Sequence, residues 1–346
     1  MFFALSGFIF FWLYAKSIES RATSAKEFFV LRFSRLYPLH FTTLLLVAIG
    51  QVLMAKIYGS SFVYGNNDPA HFISQLFFSS AVFGNSFNGP GWSVSVEILL
   101  YIAFYLVSRA KLTRWWHLAI LSGVGMYWCI HHGSNLEIAR GVLSFFIGGL
   151  SFRAFLGIWS RDKSGRIALA LGLLAIGLWI FVPTEAQHHY CEDFLETMLA
   201  AKQSKMANFG MKVAQWGFHF SYELLLFPIT IMALALWEAR RGTLGRRLAV
   251  LGDISYSSYL IHFPLQMAFM LAVSAVGIPI AVFSSPLVIA LFFLILLPIS
   301  IVTYSYFERP AQNFLRSRLH RRALPTRSTW MDGGATASPC ANPEGT

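Results

Sequence analysis

Long apolar runs alternate with short polar connections along this chain, and the alternation predicts helices. A hydrocarbon core is crossed by about 20 apolar residues in helical form, a few fewer where flanking side chains snorkel. Nine runs fit: residues 2–15, 38–55, 92–108, 117–131, 138–155, 167–183, 215–237, 254–273 and 280–304. Residues 72–83 are apolar but short and lie between Gly and Asn clusters, which predicts a re-entrant or interfacial helix instead of a tenth span. No internal repeat of the inverted transporter type stands out.

The polar connections set the orientation. Alternate ones carry Lys16, Arg21, Lys26, Arg32 and Arg35, then Arg109, Lys111 and Arg114, then Arg153, Arg161, Lys163 and Arg166, then Arg240, Arg241, Arg246 and Arg247, and finally six arginines from Arg309 to Arg327. That places 22 of the 27 basic residues on one side, which the positive-inside rule makes cytoplasmic. Span 2–15 then runs outside to inside with Met1 outside, and it has only roughly 14 residues against the usual 20. Both features lead to the expectation of an N-terminally truncated form of a ten-span protein with both ends inside.

Composition agrees: 56% hydrophobic and 12% charged residues with a mean hydropathy of +0.56 exclude a soluble globule. The fold class expected is all-α, a polytopic membrane helix bundle. A net charge of +11 raises nucleic acid as a partner, but no binding motif accompanies it and topology accounts for the excess. Cys129, Cys191 and Cys340 are odd in number and far apart, so no disulfide framework is implied. The domain reading is a membrane domain over 1–320 and a cytoplasmic tail over 321–346, rich in Gly, Pro, Ser and Thr and expected to be disordered. The longest outer connection holds Glu185, Glu192, Asp193 and Glu196, which suits a solvated loop better than a lid.

Candidate chemistry begins at residues 29–40, FVLRFSRLYPLH, where an interfacial segment is expected to enter the membrane at Pro38. Arg32 and Arg35, three apart on a helix, share a face and can grip a phosphate or pyrophosphate; plain topology anchoring explains them equally well. Deeper in the membrane, Gly89-Pro90-Gly91 leads into Trp92-Ser93-Val94-Ser95-Val96-Glu97. A carboxylate inside a span is costly, which makes Glu97 a candidate base for an acceptor hydroxyl with its serine neighbours alongside; the structural alternative is a pair with a basic or hydroxyl group on another helix. Ser255 with Tyr259, and Ser258 with His262, form a polar stripe of the kind that knits membrane helices, with His262 a candidate proton carrier. Glu308-Arg309-Pro310 is expected to close the last span as a salt-bridged stop. His188, His189 and Cys191 lack a second ligand set with recognisable spacing, and no metal is assigned. His131 and His132 read as a wet helix end.

Together these residues resemble the acyltransferase-3 family of integral membrane acyltransferases. The resemblance rests on Phe3-Ala4-Leu5-Ser6-Gly7-Phe8, on Arg32 and Arg35 with Leu36-Tyr37-Pro38, on Trp92 to Glu97, on Ser255-Tyr256 through His262-Phe263-Pro264, and on Glu308-Arg309-Pro310, in order over residues 1 to about 316. It implies an acyl-CoA donor, acetyl-CoA foremost, whose phosphates meet Arg32 and Arg35 from the cytoplasm. It also implies an acceptor hydroxyl, expected on a sugar or lipid-linked glycan in a bacterial inner membrane, and an upstream histidine as the key proton-transfer residue; the catalytic candidates within this sequence, read from its own residues, are Glu97, Ser95 and His262. Family members carry an arginine and, eleven residues later, a histidine on the helix preceding the Ser-Gly-Phe span; this sequence begins after that point. The rival expectations are a transporter, with flux independent of CoA, and an inactive remnant.

Overall fold

The computed structural model describes residues 1–59, 61–62, 67–84, 86–131, 136–160, 164–181, 220–242 and 246–319. The acidic outer connection, His132, the His188, His189 and Cys191 cluster and the tail over 321–346 lie outside them. Among the described residues the chain is all-α. Its helices are α1 (Phe2–Glu19), α2 (Ala25–Tyr58), α3 (Pro69–Leu76), α4 (Ser80–Phe83), α5 (Gly91–Arg109), α6 (Trp115–His131), α7 (Leu136–Trp159), α8 (Ser164–Phe181), α9 (Tyr222–Arg241), α10 (Arg246–Ala275) and α11 (Pro286–Leu319). α1, α2, α5, α7, α9, α10 and α11 are long and apolar enough to cross a membrane, while α6 has 17 residues and α8 is a shorter apolar helix over Gly165–Ile180. Each matches one expected run.

Helix α2 departs from expectation at its start. Ser24 and Glu27 form a reciprocal capping box, so the helix begins at Ala25 and runs through Pro38 to a left-handed Gly59 at φ 68°. Pro38 therefore lies mid-helix and does not open the span. The reason is tertiary: Phe28 is fully buried against Phe10, Tyr14 and Phe104, which draws residues 25–37 into the bundle. One missing backbone bond is tolerated where neighbouring helices pack closely. At 34 residues α2 is about 51 Å long, well beyond a hydrocarbon core of about 30 Å, so it must tilt or project.

The short segment expected over 72–83 forms α3 and α4, which fold back against α2 and α5. Asp68 caps α3, and the Gln75 carbonyl lies 2.9 Å from Nε2 of His40, which sits near the middle of α2. The Gln75 side chain clasps Asn88, donating to its carbonyl at 3.1 Å and accepting from its N–H at 2.7 Å. A Cβ on Gly91, the first residue of α5, would fall 1.7 Å from that amide, so a larger residue there would have to displace the Gln75 clasp.

Among the described residues three helices contain a π-turn, at Phe11–Ala15, Tyr222–Leu226 and Tyr304–Glu308. The last two are each followed by an X-Pro pair, Phe227-Pro228 and Arg309-Pro310. The N–H groups of Phe227 and Arg309 reach back five residues, to the carbonyls of Tyr222 and Tyr304. A proline without an N–H and with a bulky ring is accommodated by widening the turn before it. Residues Glu308-Arg309-Pro310 consequently do not stop the last helix, which continues to Leu319.

The basic connections converge at one end of the bundle. Arg153 donates to the Thr113 carbonyl at 2.9 Å, Thr113 donates to Glu19, Arg240 packs against Gly165, and Arg316 donates to Ser34 at 3.1 Å. At the opposite end Arg140 and Glu223 form an ion pair of 3.0 Å and Phe3 meets Trp92. The core between them is aromatic: Phe8, Phe10, Phe11, Phe28, Phe104, Phe145 and Phe146 interlock, with Phe10 stacked on Tyr101 at 4.7 Å.

Candidate active site

Arg32 enters this aromatic core sideways. It is 9% exposed, and its guanidinium carbon lies 4.8 Å from the Tyr14 ring centroid, 5.0 Å from Phe10 and 6.0 Å from Tyr101. It donates to the Tyr14 hydroxyl, while its Nε has no hydrogen-bond partner among the described residues. Three ring faces hold the cation in place without neutralising it. Tyr14 belongs to the π-turn of α1, which rotates its side chain toward α2.

Arg35 is held differently. Its side chain is exposed, yet its electrostatic neighbours are the buried residues Glu97, Tyr101, Tyr256 and Glu308. A guanidinium facing lipid is expensive, so an accessible arginine ringed by buried polar groups lines a recess. Among the described residues the close ion pairs are Arg140 with Glu223 and Asp68 with His71; neither engages Arg35 or Arg32.

The two carboxylates are each held by hydroxyls. Glu97, 5% exposed, accepts from Tyr101 one turn along α5, and Arg35 and Arg32 are the cations nearest to it. Glu308, 1% exposed, accepts from Ser257 at 2.5 Å and from the Gln312 amide at 3.0 Å. The Tyr256 hydroxyl ties α10 to α2 by donating to the Leu36 carbonyl at 2.8 Å. A third guanidinium, Arg316, reaches Ser34 from the end of α11 and is an electrostatic neighbour of Arg32 and Arg35.

Depth alters the expected picture. Counting 1.5 Å per residue, Arg32 and Arg35 lie about 10–15 Å inside the start of α2, Glu308 about 17 Å inside the end of α11, and Glu97 about 18 Å inside the basic end of α5. The sequence suggested a basic mouth at the membrane lip facing a separate polar site below. The structure brings Arg35 into the electrostatic neighbourhood of Glu97 and Glu308, because residues 25–37 continue α2 as bundle helix.

Two expected site residues sit elsewhere. Ser95 is fully buried on another face of α5, donating to the Phe78 carbonyl and accepting from the Ala81 N–H at 3.1 Å, so it pins the α3–α4 segment. His262 is one turn beyond Tyr259, and its Nδ1 lies 2.5 Å from that residue's carbonyl. Tyr259 in turn lies 2.7 Å from the Ser93 hydroxyl. His262 is about 9 Å further along α10 than Tyr256, beside the start of α5 and away from Glu97. The expected serine stripe is also displaced: Ser255 and Ser258 donate to carbonyls of their own helix at 2.7 and 3.0 Å, and Tyr256, Ser257 and Tyr259 make the interhelical contacts.

Sequence reasoning missed Tyr14, Tyr101, Ser257 and Arg316 as site residues. Tyr101 had a signal, since it stands four residues after Glu97 and shares its helix face. Arg316 had none, because five neighbouring arginines looked alike. No group of three His, Cys, Asp or Glu side chains able to hold a metal occurs among the described residues.

The sequence profile of the acyltransferase-3 family, described as an acyltransferase domain, matches residues 1–305. The acyltransferase MdmB of Streptomyces mycarofaciens is 32% identical over 123 residues, a stretch covering 34% of this chain and 30% of that relative. No solved structure matches the chain significantly.

Proposed function

The chain belongs to this acyltransferase family, and from that premise we propose that it moves a short acyl group, acetyl in the first instance, from acyl-CoA to a hydroxyl of a sugar or lipid-linked envelope glycan in a bacterial inner membrane. One observation carries the reading: Arg35, accessible and without an ion-pair partner among the described residues, has the buried Glu97 as an electrostatic neighbour. A guanidinium with free donors recognises phosphate oxygens, and a desolvated carboxylate beside it is placed to accept a proton.

In this reading the donor's phosphates meet Arg35 first and Arg32 behind it, with the acyl thioester directed toward Glu97. The acceptor oxygen attacks the thioester carbonyl carbon as its proton passes to the Glu97 carboxylate. The carbon–sulfur bond then breaks, and the departing thiolate takes that proton back. Tyr101, already donating to Glu97, steadies the carboxylate throughout, and the guanidiniums offset the charge gathering on oxygen and sulfur. Cytoplasmic placement of the basic end gives a dissolved donor access to the recess.

The test is transfer of radiolabelled acetyl from acetyl-CoA into the envelope fraction of cells expressing the chain, with Arg35→Gln and Arg32→Gln compared at equal protein level. Loss of incorporation in both, by about 100-fold, is expected for a charge-assisted contact on a reacting donor. Unchanged incorporation in both overturns the proposal.

A further inference from the structure

The last eleven residues of α11, Arg309–Leu319, carry three arginines with different surroundings. Arg318 is exposed and lies 5.4 Å over the Phe314 ring, as a snorkelling interfacial side chain would. Arg316 turns inward. Its Nε donates to Ser34 Oγ at 3.1 Å, and Ser34 is fully buried and donates in turn to the Leu31 carbonyl. Arg32 and Arg35, both of its own sign, are electrostatic neighbours of Arg316, together with Tyr14 and Tyr304.

Three guanidiniums thus converge on a recess whose carboxylates, Glu97 and Glu308, are already engaged by Tyr101, Ser257 and Gln312. No ion pair among the described residues draws Arg316 into this company, and its fork beyond Nε remains available. Two guanidiniums suffice to clasp one phosphoryl group; a third held one helix away matches a second phosphoryl group linked to the first.

We propose that Arg316 is the third cationic arm of the donor site, exchanging its Ser34 hydrogen bond for an oxygen of a diphosphate and so selecting donors that carry linked phosphoryl groups over those with one. The assignment rests on the reading of Arg32 and Arg35 as the donor site. It gives the end of α11 a role in recognition, since Glu308 and Arg316 leave the same helix two turns apart and bracket Arg35.

Binding of inorganic pyrophosphate and of orthophosphate to the full chain in nanodiscs, measured by calorimetry, tests it. The unaltered protein is expected to prefer pyrophosphate by about tenfold or more, as one additional charge-assisted contact implies. Arg316→Gln should remove most of that preference while changing orthophosphate affinity by less than about threefold, Arg316→Lys should restore part of it, and Arg35→Gln should weaken both ligands. If Arg316→Gln keeps the full preference while Arg35→Gln weakens both, the role of Arg316 is refuted and the donor site stands. If Arg35→Gln changes neither, the donor site fails and Arg316 with it. Should Arg316→Gln not fold, Ser34→Ala carries the test, because freeing Arg316 must leave pyrophosphate affinity equal or higher; a fall of more than about threefold overturns the proposal.

Discussion

Arg32 and Tyr14 are joined twice, by the guanidinium lying 4.8 Å over the phenol ring and by a hydrogen bond to its hydroxyl. Arg35, three residues on, has neither kind of support among the described residues. The pair therefore divides into a cation braced by the core, its Nε still without a partner among the described residues, and a second cation with no such brace. Lysine keeps the charge but loses the planar fork that stacks on rings and clasps phosphates. Arg32→Lys is expected to lower unfolding stability by about 1–2 kcal/mol as the cage contacts are lost. Arg35→Lys should leave stability within about 0.5 kcal/mol, as for a substitution breaking no packed contact, while weakening acetyl-CoA binding. Thermal unfolding in nanodiscs and binding titrations on the same samples check both halves.

Glu97 and Tyr101 make a separable pair. Glu97→Gln preserves volume and an oxygen for the Tyr101 hydroxyl to reach, but removes the carboxylate. Transfer is expected to fall by about 10²–10⁴-fold, the usual worth of general-base catalysis, with the fold retained. Tyr101→Phe should cost about 1–3 kcal/mol of stability by stripping a buried acceptor of its donor, with a smaller loss of rate. Initial rates at saturating acetyl-CoA decide; equal rates for Glu97→Gln and the parent would remove Glu97 from the chemistry.

Ser95 links α5 to the α3–α4 segment at both of its hydrogen bonds. Ser95→Ala leaves the Ala81 N–H without its acceptor and is expected to cost about 1–3 kcal/mol. The structural placement forecasts a lower unfolding temperature with the rate per folded molecule little changed. The opposite pattern, stability kept and transfer lost, would return Ser95 to the chemical role that its neighbourhood to Glu97 suggested.

What could be read in advance follows from the range of each interaction. Runs such as 92–108 and 138–155 are local patterns of apolar residues, and α5 and α7 sit where those patterns lie. Arg32, Arg35 and Glu97 were legible because charge inside an apolar run is conspicuous. The continuation of α2 backward past Pro38 was not, because it depends on Phe28 meeting Phe10 and Phe104 from other helices. Tyr14 and Glu308 owe their facing to π-turns. A 3.6-residue periodicity carries no trace of such turns, although Pro310, two residues beyond the end of the last of them, was a usable clue. Ser255 and Ser258 misled because spacing cannot tell a hydroxyl that bonds its own helix from one that bonds a neighbour.

Helices α1 and α7 meet through glycines, and this contact tolerates no side chain. A Cβ on Gly7 would fall 1.9 Å from the Phe145 carbonyl oxygen, and one on Gly148 would fall 2.0 Å from that of Ala4. Both obstacles are backbone, so relief requires the helices to separate along the seam that holds Phe8, Phe10 and Phe145. Gly7→Ala and Gly148→Ala are each expected to cost about 1–3 kcal/mol or more, with lower folded yield. Gly177→Ala is the control, because among the described residues nothing lies within 4 Å of where its methyl group would stand, and the helix gains propensity. Size-exclusion profiles and unfolding temperatures of the three variants separate the outcomes.

The cap of α3 gives the α3–α4 segment a dependence on pH whose sign follows from Asp68. Its Oδ1 accepts from the backbone N–H groups of Ala70 at 2.8 Å and His71 at 3.0 Å, and its Oδ2 lies 2.5 Å from the His71 ring. The His71 backbone N–H, followed by the His71 ring, holds this exposed carboxyl below the usual range. A carboxyl depressed in the folded state contributes stability in full above its unfolded value of about 3.9, and the contribution disappears as pH falls through the lower folded value. Amide exchange at Ala70 and His71, corrected for intrinsic rates, should therefore be constant from neutral pH to about pH 4 and lose protection below it. Asp68→Asn keeps a neutral cap and should remove that acid step, whereas Asp68→Ala should lose protection at every pH. An acid step of the same size in Asp68→Asn would assign the loss to another group and detach the α3 cap from it.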